Sequence, residues 1–153
     1  MQFPLIKEIP NLCYPIGIKA DIDQIRKDVD ILLSRFNKSQ EEINKRCETD
    51  IGWAMNLTHL PSLTGSDRPF KYTQQHGYIK SQNVSENDFT EILDEIKDLH
   101  LGQIIQNIIK QHKGKFQGRH QLVWLAPGRS YGLHKDLHTP NRYHLPIATD
   151  ENC

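Results

Sequence analysis

His134-Lys135-Asp136 sets an imidazole and a carboxylate two residues apart, and Arg142-Tyr143-His144 adds a guanidinium and a second imidazole soon after. On a β-strand, residues i and i+2 share a face. His134 and Asp136 on such a strand could therefore point at one metal ion. One imidazole and one carboxylate supply two-thirds of the 2-His-1-carboxylate facial triad. That triad holds non-haem Fe(II) while leaving coordination positions open.

The third ligand is not local. His138 is on the same strand face as His134, but Cα atoms at i and i+4 of an extended strand stand about 13 Å apart. Ligating atoms must each come within about 2 Å of the metal. As a helical pair, His134 and His138 would resemble a zinc motif, yet no Glu follows His134, and Gly132 and Pro140 argue against a helix. His59, His76, His112 and His120 could reach the pair only through tertiary contact. Each residue also has a plain reading. An isolated His-x-Asp on a strand is a hydrogen-bonded polar pair, Arg142 a sheet-edge charge, and His144 a hydrogen-bonding group within the sheet.

The elements around these residues follow from periodicity. Residues 1–20 carry Pro4, Pro10 and Pro15 and read as an extended segment, with an edge strand at most. Ile22, Ile25, Val29, Leu32, Leu33 and Phe36 recur at helical spacing, which predicts a helix over 21–36. Ser39 with Glu42 is a capping-box pattern opening a short helix to about Arg46. Ile51, Trp53, Met55, Leu57 and His59 alternate, which predicts a half-buried strand over 50–60. A long loop, 61–77, follows, whose Tyr72 and His76, with Tyr78 just beyond, could line an entrance. Ser85 as N-cap and the stripe Phe89, Ile92, Leu93, Ile96, Leu99 predict a helix over 85–99. Gly102 would separate it from another helix over 101–111. Strands are expected over 119–126, 131–138 and 143–149, with Pro127-Gly128 and Thr139-Pro140-Asn141 as turns. Trp53 and Trp124 read as core. Helices first and a sheet meander last suggest an α+β fold.

Read together, Leu125-Ala126-Pro127-Gly128, His134-x-Asp136 and Arg142-x-His144-Leu145-Pro146-Ile147 closely resemble the aspartyl/asparaginyl β-hydroxylase family. The resemblance covers residues 118–153. It implies a double-stranded β-helix (jelly-roll, cupin-like) core, begun at 118 and preceded by a helical and pre-core region, 1–117, within one domain. It implies Fe(II) as cofactor and 2-oxoglutarate and O2 as co-substrates. His134 and Asp136 would be catalytic iron ligands, and Arg142 and His144 would bind 2-oxoglutarate. The implied reaction decarboxylates 2-oxoglutarate to succinate and CO2 and hydroxylates an amino-acid side chain, free or in a protein. In that family a distal His and a second Arg follow further downstream. Cys153 precedes both, so the core is expected to be incomplete at its C-terminus, residues 1–153 to be a fragment, and their own activity to be low. The alternatives are a non-catalytic binding module on a truncated β-helix, and a cupin-like metal protein without oxygenase turnover.

Bulk properties bound the partners. The 153 residues suffice for one domain with a core. Lys+Arg and Asp+Glu both number 19, so no global charge points to nucleic acid. No apolar run approaches the ~20 residues of a membrane span, and Met1–Pro10 lacks a signal-peptide pattern. Cys13, Cys47 and Cys153 are odd in number and form no CxxC pair, which fits reduced thiols in the cytoplasm. An open sheet edge would invite a homodimer.

Overall fold

The computed structural model describes residues 19–50, 52–73, 83–112, 118–128 and 145–148. Among these residues three helices pack beside two small antiparallel sheets, an α+β arrangement. Helix α1 spans Ile22–Arg35 and opens at Asp21, whose carboxylate accepts the Gln24 N–H. Helix α2, Gln40–Cys47, opens at Ser39, whose hydroxyl accepts the Glu42 N–H. The Glu42 carboxylate is taken by Lys38 at 2.9 Å. The start of α2 agrees with the capping signal read at Ser39, and α1 fills the span that its apolar spacing predicted, with Asp21 as its cap.

Strand β1, Gly52–Asn56, is followed by the short β2, Thr58–His59. The expected single strand over 50–60 is thus broken at Leu57. The break has a cause: Leu57 joins two ladders. Its N–H donates to His120 O at 2.8 Å, and its carbonyl accepts the Leu93 N–H at 3.0 Å. Strand β3 is Glu91–Ile92, and it pairs antiparallel with β2, Thr58 opposite Ile92.

That pairing overturns the helix expected over 85–99. Ser85 does cap a turn, with a full capping box to Asp88, but the turn is one 3-10 turn, Glu86–Asp88. Phe89 leaves helical geometry at φ −81°, ψ 75°. The chain extends to pair with β2 and then makes a second 3-10 turn at Asp94–Ile96. Of the predicted stripe, Phe89, Leu93 and Ile96 are fully enclosed, Leu99 nearly so, and Ile92 half-buried. Burial was satisfied by two tight turns around a strand, with the ladder bonds deciding against the helix.

Helix α3 runs His100–Gln111. Gly102 lies inside it, not between two helices. A Cβ there would stand 2.0 Å from the Ile96 carbonyl oxygen, so glycine lets the helix close on the preceding turn. Strand β4, Gln121–Leu125, pairs antiparallel with β1 from Asn56↔Gln121 to Gly52↔Leu125. The sheet therefore joins the region before 118 to the region after it and, among the described residues, is no local meander.

One core unites these parts. Ile25, Val29, Leu32 and Leu33 of α1 meet Ile104, Ile105 and Ile108 of α3, Ile43 of α2, and Met55 and Leu122 of the sheet. On the inner sheet face Trp53 and Trp124 are cross-strand partners with ring centroids 4.9 Å apart. Phe70 packs on Trp53 and edge-on to Phe36. On the outer face Val123 and Leu125 are exposed. Among the described residues no helix is long and apolar enough to cross a membrane.

Candidate functional site

The four residues singled out by type and spacing, His134, Asp136, Arg142 and His144, lie outside the described residues. So do His76, Tyr78, His138, Cys13, Cys153 and the expected strand over 131–138. The described structure holds the two ends of the segment that carries them.

The entry end is β4. Ala126 is buried, and Pro127-Gly128 turns the chain with Gly128 at φ +70°. Left-handed backbone there costs glycine nothing, whereas a Cβ would be strained. Gly52, opposite Leu125, is required for a different reason: a Cβ there would lie 2.2 Å from the Trp124 carbonyl oxygen. Trp124 is further held by a 3.0 Å bond from its indole N–H to Gln40 Oε1 of α2. The position of β4's end is thus set by β1 and α2 together.

The exit end is Leu145–Ala148. Within the strand expected over 143–149, these described residues carry no strand and bend at Ile147 and Ala148. Ile147 packs against the core, and its carbonyl accepts a 3.0 Å bond from Arg26 Nε of α1. Asp23 takes Arg26 Nη1 at 3.1 Å, which orients the guanidinium.

Three of the histidines that could complete a metal site by tertiary contact, His59, His112 and His120, lie among the described residues. His59 Nδ1 is 2.8 Å from Leu60 O. The His120 ring is buried, which pushes its pKa below the ordinary imidazole value, against a bond to the Gly118 backbone. Its Nδ1 has no partner. His100, not singled out in the sequence, accepts the Asp21 N–H through Nε2 at 3.1 Å and so ties the starts of α1 and α3. His112 is half-buried at the end of α3. Among the described residues no three His, Cys, Asp or Glu side chains come together as a metal site would need.

Sequence reasoning missed a cleft of about 600 Å³ between the last turn of α2 and the end of β4. Its described walls are Asn44, Cys47 and Glu48 from α2 and its cap, and Trp124, Leu125 and Pro127 from β4 and its turn. The Cys47 thiol is buried and reduced, and burial, with a smaller contribution from Asp50, pushes its pKa up. It is a neutral wall and not a nucleophile. No local signal marks this cleft, because its walls are some eighty residues apart in sequence and meet only through the sheet.

Asp28 was also missed. It is buried on α1, accepts Gln24 Nε2 at 2.9 Å, and caps α3 by accepting the Leu101 N–H at 2.8 Å. An acidic residue beside Val29 in an apolar stripe was the available signal.

No family model matches the chain, and neither a curated protein nor a solved structure matches it.

Proposed function

We propose that this chain carries an Fe(II)- and 2-oxoglutarate-dependent oxygenase site, similar to that of the aspartyl/asparaginyl β-hydroxylases, acting on an amino-acid side chain. The observation that carries the reading is one ordered series in the sequence. Ala126-Pro127-Gly128 at the end of β4 is followed by His134-x-Asp136 and then by Arg142-x-His144-Leu145-Pro146-Ile147. In this reading the β1–β4 ladder begins a double-stranded β-helix, and the molecule works in the cytoplasm.

The donor chemistry of the pair fits ferrous iron. A neutral imidazole and a carboxylate occupy two positions of a facial triad. When bound, the metal supplies the oxidising chemistry that couples loss of CO2 from 2-oxoglutarate to hydroxylation of a C–H bond. The chain's own residues bind and orient. His134 and Asp136 hold the metal. Arg142 grips a carboxylate of the co-substrate with parallel charge-assisted bonds. His144 donates or accepts a hydrogen bond beside it. Pro127-Gly128 and the Arg26–Ile147 bond hold the two ends of the segment against the core.

Paramagnetic line broadening tests this even where affinity is low. Fe(II) added without oxygen is expected to broaden a set of amide signals, and His134→Ala or Asp136→Ala to abolish the effect. 2-Oxoglutarate is expected to tighten the binding, and Arg142→Ala to remove that coupling. Succinate release then reports turnover. Broadening that ignores 2-oxoglutarate and Arg142 would make this a cupin-like metal protein. Absence of any broadening dependent on His134 and Asp136 would make it a binding module.

A further inference from the structure

The starts of α1 and α3 hold each other. An N-cap N–H is often taken by a Glu or Gln side chain three residues into its own helix. In α1 that position is Gln24, whose amide is turned to Asp28 at 2.9 Å. The Asp21 N–H goes instead to Nε2 of His100, the first residue of α3, at 3.1 Å. The cap residue of α3, Leu99, makes no side-chain capping bond, and Asp28 of α1 takes the Leu101 N–H at 2.8 Å. Each helix therefore supplies the other's missing cap.

The two halves of this exchange differ in chemistry. A ring nitrogen that accepts an N–H carries no proton, so His100 is neutral here, with its hydrogen on Nδ1. A protonated imidazole has two donors and no acceptor. Imidazole changes charge between about pH 5 and 8. The Asp28 half accepts through a carboxylate and does not depend on the ring. The charges around the ring act both ways. Asp21 and Asp28 of α1 favour an imidazolium, whereas the two helix N-termini, each partly positive, oppose it. Of the other charged groups on α1 and on the turn before α3, Asp23 is bonded to Arg26, Asp94 to Lys97, Glu95 to Arg68 and Asp98 to Arg35. Lys19, Lys27 and Asp30 are exposed. These groups set where the ring titrates, but a protonated ring cannot keep the Asp21 N–H.

We propose that the bond between Asp21 and His100 is a pH-sensitive latch between α1 and α3. It is closed while the imidazole is neutral and opens on mild acidification, while the Asp28 cap stays in place. The element released is the first turn of α1 with Lys19 and Ala20, which lead into it. The latch stands whether or not the chain binds iron.

Amide hydrogen exchange of the metal-free chain, corrected for the intrinsic pH dependence of the rate, reads the latch residue by residue. Between about pH 8 and about pH 5 the protection of the Asp21 amide should fall about fivefold, the contribution of one hydrogen bond. The Leu101 amide, held by Asp28, should keep its protection within about twofold. His100→Gln offers a side-chain oxygen at the reach of Nε2 and cannot titrate, so in that variant the fall at Asp21 should vanish. Equal Asp21 protection at both pH values in the parent chain would overturn the proposal. So would a fall that persists in His100→Gln. An equal fall at Leu101 would also overturn it, because acid would then be loosening the whole junction and not one latch.

Discussion

Gly102→Ala separates two arguments that give opposite signs. Judged by helix propensity alone, alanine should stabilise a helical position over glycine by about 1 kcal/mol. In the structure a Cβ at Gly102 would stand 2.0 Å from the Ile96 carbonyl oxygen, 2.8 Å from its carbon and 3.2 Å from Lys97 Cα. All three obstacles are backbone, so no rotamer change relieves them. The same oxygen accepts the Leu99 N–H at 3.0 Å, and moving it would loosen the turn that leads into α3. Overpacking of this kind costs about 3 kcal/mol, the upper end of its usual range. Subtracting the propensity gain leaves a net loss of about 2 kcal/mol. With a urea dependence of about 2 kcal/mol per molar, the unfolding midpoint should fall by about 1 M. Urea titration followed by tryptophan fluorescence measures it, because Trp53 and Trp124 stack together against the core. Gln103→Ala, at the exposed neighbouring position, is the control and should change stability by less than about 0.5 kcal/mol. A Gly102→Ala midpoint at or above that of the parent chain would refute the close-approach argument.

Asp28→Asn keeps the size of the buried side chain but turns one acceptor into a donor facing a donor, either Gln24 Nε2 or the Leu101 N–H. A loss of about 2 kcal/mol is expected, which lowers the melting temperature by about 4–8 °C; an unchanged melting temperature would mean that the cap of α3 carries no weight. The Arg35 guanidinium, bonded to both Asp98 oxygens at 2.7 Å, holds the Asp98 pKa down to about 2 from 3.8. A depressed carboxylate contributes stability that is complete above its unfolded value and lost as pH falls through its folded value. The contribution should therefore fade between pH 3.8 and about 2, and Asp98→Asn should flatten that part of the curve in urea midpoints taken across acid pH. Identical acid slopes for the two proteins would remove Asp98 from the account.

Legibility in the sequence tracked how local the deciding interaction was. The start of α2 was readable because Ser39 acts on an N–H group three residues ahead, and α1 was readable from its apolar spacing. The inward set of β4, Leu122 and Ala126 against exposed Val123 and Leu125, was readable because strand periodicity is a property of the backbone. The stretch 85–99 shows the limit. Its apolar spacing identified which side chains are buried but not the backbone that buries them, because Leu57, twenty-eight residues before Ser85, takes the Leu93 N–H. The cleft was invisible for the same reason: Asn44 and Glu48 meet Trp124 and Pro127 only when β1 pairs with β4.

The sequence by itself determined the residue chemistry. It set the order of the His134-x-Asp136 and Arg142-x-His144 motifs, the capped helices, the amphipathic faces and the turn at Pro127-Gly128. These depend on side-chain type and on neighbours within about one helical turn. Only the tertiary structure decided the rest. It broke the strand at Leu57, extended the chain at Glu91–Ile92, admitted Gly102 into α3, buried Asp28 as a cap, and bonded Arg26 to Ile147. Each of these depends on a backbone group finding a partner far along the chain. A buried N–H or carbonyl must be paired wherever the fold brings it, and sequence periodicity does not encode which distant strand or side chain will be there.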